Sequence, residues 1–223
     1  MTDDKVKSTG RYTRKLHPLP LRIMHWINAL AMVLLIGSGW GIYNDEVLFG
    51  WLHFPEWSVI GVYAQHSLQW HFFAMWVLMA NGICYLAYGF YTGRFRRKLL
   101  PIWPSQIIAD IRDALRFKLA HDDITHYNAV QKTLYAGVIV VIVIQVVSGW
   151  AIWKPIQLSW LIDLLYDFQT ARLVHFIGMA AIVGFMVVHV ALALLVPKTI
   201  AAMVNGGPPE PDHQAQPTLT PAE

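Results

Sequence analysis

Four histidines lie inside segments that are otherwise almost pure hydrocarbon: His25, His71, His175 and His189. Burying an ionisable ring without a partner costs free energy, so such a residue in a membrane interior is a functional feature by default. A bond to a neighbouring backbone carbonyl explains one such histidine comfortably and four poorly. The sharpest pointer is the fourteen-residue interval between His175 and His189. On a helix that interval turns the chain through about 1400°, some 40° short of four turns, and rises ~21 Å. Both rings therefore leave nearly the same helix face, one toward each end. Neutral imidazole nitrogen is a metal ligand, and iron ligation would satisfy its polarity.

The elements that must position these rings follow from composition. The chain has 223 residues, 56% hydrophobic and only 14% charged. Four runs are long enough to cross about 30 Å of hydrocarbon: Leu21–Tyr43, His66–Tyr91, Tyr127–Trp153 and Thr170–Val196. The predicted fold is an all-α integral membrane four-helix bundle over residues 21–204, between an N-terminal tail (1–20) and a proline-rich, polar, disordered C-terminal tail (205–223). Basic residues concentrate in the N-terminal tail (Lys5, Lys7, Arg11, Arg14, Lys15) and between spans two and three (Arg94, Arg96, Arg97, Lys98, Arg112, Arg116, Lys118). That bias places both termini and the middle connection in the cytoplasm. The net charge of +3 thus reports topology and contact with anionic membrane lipids, not nucleic acid binding. Residues 104–119 carry Ile107, Ile108, Ile111 and Leu115 on one helical face, which predicts a short interfacial helix between spans two and three. Most tryptophans fall at span ends, as amphipathic rings at a membrane interface should. The single cysteine, Cys84, excludes an intrachain disulfide and a cysteine-ligated cluster.

With the N-terminus inside, the histidines pair by depth. His25 lies about one turn into span one, and His189, late in span four, reaches a similar cytoplasmic level. His71 and His175 both lie early in spans that start from the periplasmic side. Bis-imidazole ligation of two stacked haems needs this arrangement, with span four donating a ligand to each. Zinc fits less well, because neither pair has a cysteine or carboxylate nearby to complete four ligands. Gly39 and Gly149, within the repeated Ser38-Gly39-Trp40 and Ser148-Gly149-Trp150, would let a flat ring approach the backbone; ordinary small-residue helix packing explains them equally well. Arg22 and Arg172 each precede a histidine by three residues and share its helix face. They suit a haem propionate or a lipid headgroup alike. His66 competes with His71, and the two point about 140° apart.

The residues Arg22-Ile23-Met24-His25-Trp26, His71-Phe72-Phe73, Tyr127-Asn128-Ala129-Val130-Gln131-Lys132 and Gly149-Trp150-Ala151-Ile152-Trp153-Lys154-Pro155, with the His175/His189 pair, carry a resemblance. From Arg22 to Val204 the chain resembles the di-haem cytochrome b subunits of bacterial formate dehydrogenases and nickel-iron hydrogenases. The resemblance implies two b-type haems, His25 and His189 ligating the cytoplasmic iron, and His71 and His175 the periplasmic one. It decides for His71 over His66, since the family ligand precedes an aromatic pair. It also implies a quinone site near Asn128, where His126, Gln131 and Lys132 cluster. Two positions depart from the formate dehydrogenase pattern: Val130 stands where that branch has a glycine, and Leu68 where it has an arginine. The run Asn81 to Arg97 looks closer to a branch serving periplasmic molybdenum oxidoreductases.

The expected function is electron transfer across the bacterial inner membrane, between the quinone pool and a periplasmic redox protein such as a molybdenum oxidoreductase or hydrogenase. The chain would then be the membrane subunit of an oxidoreductase. The alternative is a stand-alone cytochrome that oxidises superoxide and reduces quinone. An anionic substrate wants a cationic approach, yet the first periplasmic connection holds Asp45, Glu46 and Glu56 and no lysine or arginine. Arg172 and Lys154 keep that alternative open. A haem-free histidine proton relay would not require the matched depths.

Overall fold

The computed structural model describes residues 14–98, 129–207 and 209–210. Four long helices dominate it: α1 (Leu19–Asp45), α2 (Ala64–Tyr91), α4 (Ala129–Trp153) and α6 (Phe168–Leu195). Each is long and apolar enough to cross a membrane. Short helices α3 (Arg94–Lys98), α5 (Ser159–Leu164) and α7 (Pro197–Asn205) follow α2, α4 and α6 respectively. Two-residue strands β1 (Arg14–Lys15) and β2 (Pro209–Glu210) pair antiparallel.

Local chemistry sets the helix limits. Prolines stand at the starts of α1 and α7, where the missing N–H has no intrahelical partner to lose. The Asp167 carboxylate caps α6 by accepting the Thr170 N–H at 2.6 Å. That bond holds the Asp167 pKa below the ordinary carboxylate value. Pro197 closes α6, and Gly206, at φ +101°, caps α7 in a left-handed conformation that a side chain would strain.

The interior is inverted relative to a water-soluble domain. The most buried side chains on the long helices are small: Ala31, Ser38, Ser67, Ala74, Ser148, Ala151 and Ala171. Large apolar residues such as Leu30, Phe73, Trp76, Ile83, Val140, Val187 and Leu194 face outward. In lipid the outward face gains nothing by burial, so small residues that let backbones approach make the contacts. The chain is a multi-pass membrane protein.

The helices form two hairpins, α1 against α2 and α4 against α6. Between them lie side-chain rings rather than close backbone contacts: His25 faces His189, His71 faces His175, Tyr43 meets Phe176 and Phe72 meets Trp153. Both described chain ends meet at one end of the bundle. The His17 N–H donates to the Gly206 carbonyl at 2.9 Å, and Lys15 Nζ to the Asn205 carbonyl at 3.0 Å. Arg22 and Trp26 of α1 donate to the carbonyls of Val204 and Met203 at the end of α7. We call this the terminal end and the other the loop end.

Each expected span matches a helix within two residues at the termini described. Asn205, assigned from sequence to the disordered tail, ends α7, and residues 209–210 pair with the N-terminal segment. The expected interfacial helix over 104–119 lies outside the described residues.

Candidate metal centres

The four intramembrane histidines form two facing pairs. At the terminal end, the His25 and His189 ring centroids are 6.2 Å apart, with planes inclined 64°. At the loop end, His71 and His175 are 6.4 Å apart, inclined 62°. Two metal–imidazole bonds of about 2 Å, plus two ring radii, require centroids about 6 Å apart. Both pairs fit a single metal ion between two imidazoles. Among the described residues no cluster of three or more His, Cys, Asp or Glu could hold a metal. The donor set therefore suits a macrocycle that supplies its own equatorial nitrogens, not a tetrahedral zinc.

Helix geometry explains the pairing. His71 lies seven residues after the start of α2, and His175 seven residues after the start of α6, so the second helix of each hairpin presents a histidine at the same depth. His66 is turned toward the connecting loop instead, where it packs against Tyr63 and accepts from the Val62 N–H at 3.5 Å.

The loop-end pair is held from behind. Ser38 Oγ lies 3.1 Å from His71 Nδ1, and Ser148 Oγ lies 3.0 Å from His175 Nδ1. A Cβ added at Gly39 would stand 3.5 Å from His71 Cε1, and one at Gly149 would stand 3.1 Å from His175 Cε1. In this structure the flat ring beside each glycine is the imidazole itself, tightly fitted at Gly149 and in ordinary contact at Gly39. Beyond it, Trp40 stacks on Phe54 at 4.6 Å, and the Asn44 amide donates to the Phe54 carbonyl and accepts its N–H. At the terminal end the supports are aromatic. Phe185 stacks on His189 at 5.5 Å, and Trp26 meets His25 edge-on at 5.3 Å. One turn away, the Asn81 amide donates to the Met24 carbonyl at 2.8 Å and to Asn28 Oδ1 at 2.6 Å, tying α2 to α1.

The two arginines act first on protein. Arg22 donates to the Val204 carbonyl, while its Nε is buried without a hydrogen-bond partner among the described residues. That orphaned donor, three residues before His25, fits an anionic substituent of a group bound there. Arg172 donates to Gln169 Oε1 at 3.0 Å and to the Glu46 carbonyl, tying the start of α6 to the end of α1. Of the quinone-site residues, Lys132 is half-buried in the first turn of α4, and Gln131 is placed in that helix by its backbone. His126 and Asn128 lie outside the described residues.

Ser38, Ser148, Asn81 and Asn28 were not singled out from sequence. For the serines the signal is the repeated Ser-Gly-Trp itself, which sets a hydroxyl one residue before each glycine. For the asparagines it was an amide inside an apolar run.

Comparison with known proteins shows the family. Residues 16–206 match the family described as prokaryotic cytochrome b561. A protein of Azospira oryzae, by name a protein-methionine-sulfoxide reductase subunit (YedZ1), is 44% identical over 86% of this chain and 96% of its own length. A protein of Bradyrhizobium diazoefficiens, by name a B-type cytochrome subunit of a Ni/Fe-hydrogenase, is 21% identical over 84% of this chain and 81% of its own. The formate dehydrogenase cytochrome b556(fdo) subunit of Escherichia coli is 28% identical over 84% and 82%. With its four membrane helices and paired imidazoles, this chain belongs to the prokaryotic cytochrome b561 family, as a membrane-bound b-type cytochrome of electron transfer.

Proposed function

We propose that the chain carries two b-type haems and conducts electrons between the quinone pool and a periplasmic oxidoreductase. The observation that carries this reading is the pair of facing imidazoles at each end of the bundle, with α6 contributing His175 to one and His189 to the other. His25 and His189 would hold the haem at the terminal end, His71 and His175 the haem at the loop end. Haem supplies one-electron chemistry when bound, while the protein fixes axial ligands, spacing and surroundings.

The basic N-terminal tail and middle connection support a terminal end on the cytoplasmic side of a bacterial inner membrane. The quinone would then bind near His126, Asn128, Gln131 and Lys132, at the start of α4. The loop end faces the periplasm and the partner. Among partner classes we favour a reductase of oxidised methionine, because the 44%-identical relative is named as a subunit of one. Reduction of a sulfoxide to a thioether and water consumes two electrons and two protons. Electrons would therefore run from quinol to the partner.

The test is a haem count on the full-length protein purified after expression with ample haem. A pyridine haemochrome assay should give about two haems per chain, and His189→Ala about one. An unchanged count in His189→Ala would refute the ligand assignment. Quinol-driven reduction of a co-purifying periplasmic subunit tests the direction.

A further inference from the structure

We infer that Ser38 and Ser148 are positioning residues that fix the tautomer of His71 and His175, setting the loop-end pair apart from the terminal-end pair. The inference rests on the reading of these histidines as haem ligands.

The argument is one of proton count. A serine hydroxyl has one proton to donate and two lone pairs to accept with. Both serines are almost fully buried, at 0% and 1% exposure, so water is not the partner. Ser38 Oγ lies 2.5 Å from the Leu34 carbonyl oxygen, and Ser148 Oγ lies 2.8 Å from the Ile144 carbonyl oxygen, each one turn back on its own helix. Two oxygens at such distances repel unless a proton lies between them, so each hydroxyl donates backward to its own helix. Each Oγ is then only an acceptor toward the imidazole, at 3.1 and 3.0 Å. The shared proton must be the histidine's, on Nδ1. Nε2 is left as the lone-pair nitrogen available to a metal. A neutral histidine has one donor and one acceptor nitrogen, so a proton held on Nδ1 fixes both the tautomer and the ring's orientation. The Leu35 and Gln145 carbonyls, which also hydrogen-bond His71 and His175, share that proton with the serines.

The device is built twice. Ser38 of α1 serves His71 of α2, and Ser148 of α4 serves His175 of α6, from the same Ser-Gly-Trp sequence. Among the described residues neither His25 nor His189 has a hydrogen-bond partner. An acceptor on Nδ1–H makes the ligand more basic. A more electron-donating imidazole favours the ferric over the ferrous state, so removing the acceptor should raise the potential of that haem.

The experiment is a redox titration at fixed pH on the full-length, haem-loaded protein, with Ser38→Ala, Ser148→Ala and the double variant. We expect the double variant to shift the ferric-to-ferrous balance of one haem about threefold to tenfold, which is ~28–59 mV upward at 59 mV per decade. Each single variant should give a part of that shift. The other haem, as an internal control for folding, should keep its potential. The ferric low-spin resonance of the shifted haem should also move, because each ligand plane loses one of its two hydrogen-bond anchors and keeps only the Leu35 or Gln145 carbonyl. Threonine keeps the hydroxyl, so Ser38→Thr with Ser148→Thr should restore the wild-type potential. If alanine costs the loop-end haem outright, the threonine pair decides: a wild-type loop-end potential supports the inference, and a loop-end potential raised above wild type overturns it. Two bound haems with both potentials unchanged in the double alanine variant, or with both shifted equally, overturn the positioning role alone. Two haems retained in His71→Ala would instead overturn the ligand reading beneath it.

Discussion

The two histidine pairs differ by only 0.2 Å in centroid separation, 6.2 against 6.4 Å, and by two degrees in inclination, 64° against 62°. They are held by different forces. The loop-end rings are gripped by directed hydrogen bonds that the serine oxygens accept and, at His175, by a close-fitting glycine. The terminal-end rings are packed by Phe185 and Trp26, with an asparagine pair stitching the helices alongside. A hydrogen bond specifies a tautomer and a rotation; aromatic packing specifies a plane and leaves the proton open. The same metal-ready spacing can thus be reached with different control over ligand electronics. The two ends need not behave alike although they look alike.

The largest effects come from the rings themselves. Because α6 serves both pairs, His175→Ala and His189→Ala should each lower the haem count from about two to about one. The double variant should bind none, by pyridine haemochrome. The comparison breaks if either single variant loses both haems, since the ends would then be one cooperative site. Optical spectra of the two single variants should differ, each reporting the end that remains.

The glycines come next, and here the two halves of the loop-end site can be set against each other. Alanine in a helix interior is favoured over glycine by about 1 kcal/mol. At Gly39 the added Cβ meets His71 Cε1 at 3.5 Å, an ordinary contact, so Gly39→Ala should be neutral or slightly stabilising. At Gly149 the added Cβ would meet His175 Cε1 at 3.1 Å, and the ring must yield. Overpacking of that kind costs about 1–3 kcal/mol, which exceeds the propensity gain. Gly149→Ala should therefore lower thermal stability and loop-end haem occupancy while Gly39→Ala leaves both intact. Equal behaviour of the two variants would show that the imidazoles are not held as tightly as the distances imply.

At the terminal end, Asn81→Leu removes an amide that donates to both the Met24 carbonyl and Asn28. Interhelical hydrogen bonds in membranes contribute about 0.6–2 kcal/mol. We expect a loss of stability of that order, read as a lower melting temperature, and a larger change at the terminal-end haem than at the loop-end one. An Asn81→Leu protein that melts like wild type would mean that lipid-facing packing, not this bond, joins α1 to α2.

What could be read in advance follows from these forces. The four spans, the four inward histidines and their pairing were legible because a 3.6-residue period and a hydropathy contrast are written directly in the chain. The family assignment was legible for the same reason, since its motifs are those histidines and their neighbours. The roles of Ser38 and Ser148 were not, because a serine in a membrane helix reads first as a small packing residue, and only a neighbouring helix reveals its acceptor geometry. Arg22 and Arg172 were expected near a cofactor, but they first satisfy the carbonyls of Val204 and Glu46. Helix ends from distant parts of the chain made those contacts, and no local pattern announces them. The helix Pro197–Asn205 was hidden in the same way, by a proline that ends one helix and starts another.

The smallest effect tests the loop end at its edge. Asp167 caps α6 only eight residues before His175, and its carboxylate accepts the Thr170 N–H. The bond favours the charged form, so the folded-state pKa lies below the ordinary value of 3.8. A depressed carboxylate contributes stability that is fully present above the unfolded pKa and is lost as pH falls through the folded one. Asp167→Asn keeps an acceptor oxygen but has no charge to titrate. At neutral pH the wild type should melt slightly higher than Asp167→Asn, and the gap should close as the pH drops below about 4. The carboxylate is fully exposed, so the difference should shrink further in high salt. Loop-end haem occupancy should stay unchanged throughout, because the serine hydrogen bonds to His71 and His175 lie deeper than the cap. A gap that persists in acid would place the cap's effect in its geometry rather than its charge. A fall in loop-end occupancy would show that the start of α6, and not the serines alone, holds His175 in place.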